Sequence, residues 1–90
     1  MPRSKYQPLA DFLAASATAE HRLTFRQIEL ILGNSLPETA TQPPDQHQWW
    51  ANDDTHSQAR AWLGVGWQRG HLDTLAGVVT FVRAPAEREE

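Results

Sequence analysis

The sequence contains no cysteine. That excludes disulfide staples and thiolate metal sites, and it fits a reducing compartment. No stretch approaches the ~20 consecutive apolar residues of a membrane span. The opening MPRSKYQPLADFL lacks the apolar core of a signal peptide, so a cytoplasmic protein is the expectation. There is no internal repeat, no low-complexity tract and no glycine-rich phosphate loop, and neither HxxxH nor HExxH occurs. Residues 27–54 hold no lysine or arginine but five acids, Glu29, Glu38, Asp45, Asp53 and Asp54.

The net charge is −3, which argues against indiscriminate binding to phosphate backbones. Its distribution is uneven. Residues 1–26 are net +2, residues 27–54 net −5, residues 55–83 net +2 and the tail net −2. A fold could set a basic face against an acidic one, or simply mix them over its surface. Ninety residues, 40% of them hydrophobic, allow one domain with a thin core, since a chain of this size buries only roughly 60–65% of its unfolded surface. The expected organisation is a loose N-terminus over 1–4, a single domain over 5–83 and a disordered polar tail over 84–90.

Pro8 suits the first position of a helix, and Leu9, Phe12 and Leu13 then share a face, so a helix is expected over Pro8–Ser16. A short extended segment, Arg22–Thr24, follows. Thr24 and Gln27 form a capping box, Phe25, Ile28, Ile31 and Leu32 form a stripe, and Gly33 is a natural stop, which sets a helix over Phe25–Leu32. Ser35 with Glu38 repeats the start signal for a short turn over Pro37–Thr41. TQPPDQHQ reads as a loop because of Pro43 and Pro44. Thr55 and Gln58 offer a third capping box, for a helix over His56–Gly64. From Trp67 two strands form a hairpin around a turn at Thr74–Gly77, the second being the β-branched run VVTFVR.

This order is that of a winged helix: an α+β domain in which a three-helix core carries a small antiparallel sheet and a C-terminal β-hairpin, the wing. The helix over His56–Gly64 takes the place of the recognition helix. The predicted core is Leu9, Phe12, Leu13, Phe25, Ile28, Ile31, Leu32, Trp50, Ala59, Trp62, Leu63 and Phe81.

All four tryptophans lie between positions 49 and 67. Each ring needs burial and each indole N–H a partner. Trp49 and Trp50 cannot both enter a small core in the same direction. Spacing to Trp62 favours Trp50 as the inward one, leaving Trp49 edge-on or exposed to stack on a base or anchor a partner. On the following helix Ala59, Trp62 and Leu63 point to the core, while Ser57, Ala61 and Gly64 point away with Arg60 beside them. Such a face of small residues lets a DNA groove, a helix or a backbone approach closely.

Read as a nucleic-acid interface, Asn52 and Gln58 match adenine edges, and Arg60 matches guanine or a phosphate. Ser57 and His56 stand at the helix start, and Arg69 and His71 on the hairpin add backbone contacts. Each has a plainer role as well: Asn52 as a turn former, Gln58 as part of its capping box, Arg60 as a solvated charge. The rival is a protein-interaction or homodimerisation module using the same helix and an exposed tryptophan.

Enzymatic chemistry finds little support. Asp45, His47, Asp53, Asp54 and His56 cluster in sequence, but at no metal-ligand spacing, and acids before a helix are explained by its dipole. His56 and Ser57 are adjacent and face different ways, so they make no dyad. No metal, no cofactor and no catalytic role are expected.

Three blocks, KYQPLADFL, LTFRQIELILGNSLPETA and WWANDDTHSQARAWLGVGW with a hairpin ending in FVR, resemble a family of small uncharacterised bacterial domains, a domain of unknown function found alone or fused to others. The resemblance covers most of Lys5 to Arg83. It implies a defined domain without supplying an activity, and it marks Trp50, Asn52, His56, Gln58, Ala59 and Trp62 as signature positions. The sequence departs from the family pattern in the longer loop TQPPDQHQ. Together these readings lead to the expectation of a DNA-binding regulator or targeting module that works as a dimer.

Overall fold

The structure, a computed structural model, describes residues 4–84. The expectations for residues 1–3 and 85–90 lie outside that range. At its margins, the Ser4 carbonyl accepts the Gln7 N–H, and the Ala84 N–H donates to the Gly66 carbonyl.

The chain runs α1 (Gln7–Ala14), β1 (Glu20–Thr24), α2 (Phe25–Leu32), α3 (Glu38–Thr41), α4 (Gln46–Trp49), α5 (Ser57–Leu63), β2 (Trp67–Asp73) and β3 (Val78–Arg83). The architecture is α+β, helices packed with one three-stranded antiparallel sheet of order β1-β3-β2. None of these helices is long and apolar enough to cross a membrane.

Local chemistry explains most element ends. The Thr24 hydroxyl accepts the Gln27 N–H at 3.0 Å while the Gln27 side chain accepts the Thr24 N–H at 2.8 Å. This reciprocal cap starts α2. Gly33 closes it with φ 77°, a left-handed conformation that glycine adopts without penalty. In the hairpin turn the Asp73 carboxylate accepts the Ala76 N–H. The Gly77 carbonyl accepts the Phe25 N–H, tying the turn to the start of α2.

Three expectations about element starts are corrected. TQPPDQHQ is not wholly a loop, because α4 forms directly after its prolines. Once past Pro44 nothing blocks the helical bonds from Trp49 N–H to the Asp45 carbonyl and from Trp50 N–H to that of Gln46. The residue before α3 is Pro37, with no side-chain cap, so Ser35 lies too early to start it. The Thr55–Gln58 capping box does not form. Asp53 captures Thr55 through both its N–H and its hydroxyl, His56 precedes α5 without a side-chain cap, and Gln58 bonds elsewhere.

The core lies between α1, α2, α5 and the inner face of the sheet. Leu9, Leu13, Ile28, Leu32, Trp50, Ala59, Trp62 and Phe81 are buried, and Phe12, Phe25, Ile31 and Leu63 pack partly buried against them. Tyr6, Leu23, Leu36, Ala40, Trp67, Leu72 and Val79 join the core without having been singled out by periodicity. Trp50 is its centre. It stacks on Phe25 at 5.5 Å and on Trp62 at 6.0 Å, and its indole N–H donates to the Ala40 carbonyl at 2.9 Å. Burying a tryptophan of about 150–250 Å² contributes roughly 4–6 kcal/mol, so Trp50, Trp62 and Trp67 anchor a core that is otherwise thin.

Trp67 carries a local cost. Its Nε1 is the one buried side-chain polar atom without a partner among the described residues, an arrangement worth about 1–3 kcal/mol of destabilisation. The ring itself is well covered, by the Arg83 guanidinium at 4.9 Å and the His21 ring at 5.7 Å. Trp67→Phe removes the orphan donor together with some packing, so the two effects oppose each other. Urea unfolding is expected to show a change below about 1 kcal/mol; a loss above about 2 kcal/mol would contradict this account.

Candidate functional site

The segment from Trp49 to the bulge in β2 brings the sequence-predicted site residues together, but it gives them different jobs. Asn52 belongs to the framework. Its Oδ1 accepts the Trp62 indole N–H at 2.8 Å and the Arg69 backbone N–H at 2.8 Å, while its Nδ2 donates to the Arg69 carbonyl at 3.0 Å. Because β2 is an edge strand, the Arg69 backbone has no neighbouring strand on that side. The Asn52 amide substitutes for one, offering a donor and an acceptor as a peptide group would.

Arg69 is also turned inward. Its Nε donates to the Trp50 carbonyl at 3.0 Å and a terminal N–H donates to the Gly70 carbonyl at 2.8 Å. Desolvation lowers its pKa from the usual value, and a guanidinium remains charged regardless. Gln58 is only 7% exposed, and its Nε2 donates to the Trp49 carbonyl at 3.0 Å. In the structure Asn52, Gln58 and Arg69, expected as nucleic-acid contacts, each make hydrogen bonds inside the fold that hold the tryptophan segment to α5 and β2.

The remaining candidates stay at the surface. Ser57 and Arg60 are exposed and Ala61 is half-buried. With Ser4 and Gln7 they line a shallow cleft of about 140 Å³ between the α1 start and α5. Arg60 uses one terminal N–H on the Asp54 carbonyl at 3.0 Å. His71 is exposed at the irregularity between Arg69 and Leu72. There the backbone runs close to β3, and a Cβ on Gly70 would lie a tight 3.2 Å from the Thr80 carbonyl oxygen. His71 shares no hydrogen bond with the α5 residues.

His56 sits on the other side of α5. Its Nε2 lies 3.7 Å from an Asp53 carboxylate oxygen. The two bonds from Thr55 hold the Asp53 carboxyl below the ordinary carboxylate range, with a smaller contribution from His56. With Gln58, Thr39, Asp45, Gln48 and Trp49, His56 lines a second cleft of about 230 Å³. Sequence reasoning did not assemble this cleft. Its only hint was that one of two adjacent tryptophans had to be left at the surface. Trp49 is that one, half-buried and edge-on to Tyr6 at 5.9 Å and to Trp50 at 4.7 Å. Among the described residues no group of three or more His, Asp or Glu is gathered as a metal would require.

A family model describing a domain of unknown function, DUF7662, matches residues 6–85. The chain belongs to that family. No curated protein and no solved structure matches it. Membership agrees with the resemblance read from the sequence.

Proposed function

We propose that the domain binds duplex DNA through the outward face of α5, as a small non-enzymatic regulator or targeting module. The observation that carries this reading is the exposed pair Ser57 and Arg60 on a helix whose inner residues, Ala59 and Trp62, are fully buried, so the helix is rigidly mounted while those two side chains face solvent. Ala61, expected to point away from the core, is half-buried and packs against it. The element order, with α3 and α4 inserted before α5, and the sheet order β1-β3-β2 fit a winged helix whose hairpin serves as the wing. That supports the reading by analogy of fold. The contact set is narrower than the sequence implied. Arg60 becomes the principal cation, Ser57 its neighbour on the helix, and His71 a flanking group on the hairpin.

The acidic pair Asp53 and Asp54 beside α5 favours a second reading, in which a second copy of the chain occupies the same face. Fluorescence anisotropy with labelled duplex DNA at low and moderate salt tests the first. Binding is expected to weaken with salt, and Arg60→Ala is expected to weaken it further and to reduce the salt slope by about one. No binding at low salt would sink the DNA reading. A dimer in light scattering that Ala61→Glu dissolves would then assign the face to self-association.

A further inference from the structure

We propose that the groove formed by α3, α4 and the residues leading into α5 docks an arginine-bearing segment of a protein partner. It lies on the other side of α5 from the proposed DNA face and stands independently of that reading. Two clefts of about 390 Å³ and 230 Å³ share Thr39 and Asp45 and so form one continuous surface. Glu38 lines the first, Asp45 lines both, and no lysine or arginine lines either. Both acids belong to the stretch 27–54, which has five acids and no lysine or arginine. A phosphate backbone is repelled from such a surface and a cation is drawn to it.

The smaller cleft defines which cation. It is below the roughly 300–1,000 Å³ of sites for drug-sized ligands, so it suits a single inserted side chain. Trp49 supplies a half-buried indole, and among the described residues its N–H has no hydrogen-bond partner. Gln58 is 7% exposed. Its Nε2 is fixed on the Trp49 carbonyl, while its Oε1 accepts no hydrogen bond from any described residue. An arginine side chain uses all of this at once. Its planar guanidinium stacks on an indole, forks onto the Asp45 carboxylate and donates to an amide oxygen, which a lysine ammonium cannot match in shape. The indole N–H is then available to a backbone carbonyl of the same segment.

The experiment uses a fluorescein-labelled peptide of alternating arginine and glycine-serine, with a copy carrying citrulline at each arginine, which keeps the shape and removes the charge. Anisotropy at low salt is expected to show saturable binding of the arginine peptide and at least tenfold weaker binding of the citrulline copy. Glu38→Gln with Asp45→Asn is expected to weaken binding about five- to tenfold. Asp11→Asn with Glu20→Gln, which changes net charge equally but lies elsewhere, is expected to change it less than twofold. Neither side chain of the cleft pair makes a capping hydrogen bond, so this variant keeps the fold. Trp49→Leu is expected to weaken binding further, read beside its melting curve. Equal losses in the two charge-matched variants would overturn the site, as would absence of binding at low salt or equal binding of the citrulline peptide.

Discussion

Trp62→Ala is expected to leave the domain largely unfolded at room temperature or to lower its melting midpoint by more than about 12 °C. The side chain is fully buried. It stacks on Trp50 at 6.0 Å and meets Phe81 at 5.2 Å, and its indole N–H is the donor that Asn52 Oδ1 accepts. Removing a buried tryptophan costs about 3–5 kcal/mol. The whole stability of a 90-residue domain is about 5–13 kcal/mol, so the substitution removes a large share of it. At about 4–8 °C per kcal/mol for a domain of this size, the shift is easily read by circular dichroism. A variant melting within a few degrees of the parent would mean that the aromatic centre is not the main support of the fold.

Asn52→Ala is the second large effect, although Asn52 is itself exposed. The substitution orphans three groups together: the Trp62 indole N–H and the N–H and C=O of Arg69. Each unsatisfied group costs about 1–3 kcal/mol when buried. The Arg69 backbone lies at an edge that water can reach, which places the total at about 2–4 kcal/mol. Asn52→Asp keeps both acceptor bonds but sets a carboxylate against the Arg69 carbonyl, so an intermediate loss is expected. A cycle with Trp62→Phe, which removes the donor from the other side, should show coupling of about 0.5–3 kcal/mol in urea unfolding. A loss below about 0.5 kcal/mol for Asn52→Ala, the ordinary range for a surface change, would return Asn52 to the role of a solvated turn residue. Its side chain would then be free to face a ligand.

These two variants bear on how the family should be read. Asn52, Gln58 and Trp62 stood out as signature positions by resemblance. The structure gives each a partner inside the fold: Asn52 to the β2 edge, Gln58 to the Trp49 carbonyl, Trp62 to Asn52. A polar residue hard to explain by core packing need not be a ligand contact. Here it satisfies backbone at the margins of elements, the free edge of β2 at Arg69 and the C-terminal carbonyl of α4 at Trp49. His56 is the polar signature position whose side chain makes no hydrogen bond within the described residues, and it lies on the rim of the cleft with Trp49.

Features carried by short spacings were legible in the sequence. The reciprocal cap of Thr24 and Gln27, the stop at Gly33, the apolar stripe of α2 and the hairpin around Asp73–Gly77 all depend on atoms a few residues apart. The order of elements, and with it the α+β class, followed from those signals. The competition for Thr55 was also local but ambiguous, because Thr55 had two nearby partners. The carboxylate of Asp53, a stronger acceptor than the Gln58 amide oxygen that would have received the Thr55 N–H, took it.

The tertiary structure alone decided the roles of Asn52, Gln58 and Arg69, whose partners lie 9 to 19 residues away. It also decided that Trp67 is buried with its N–H unpaired and that Glu38 and Asp45 share a groove with Trp49. The physical reason is the same in each case. A side chain's periodicity sets which way it leaves its own element, but the donor or acceptor it meets is set by whichever element packs opposite, and that is a property of the assembled fold.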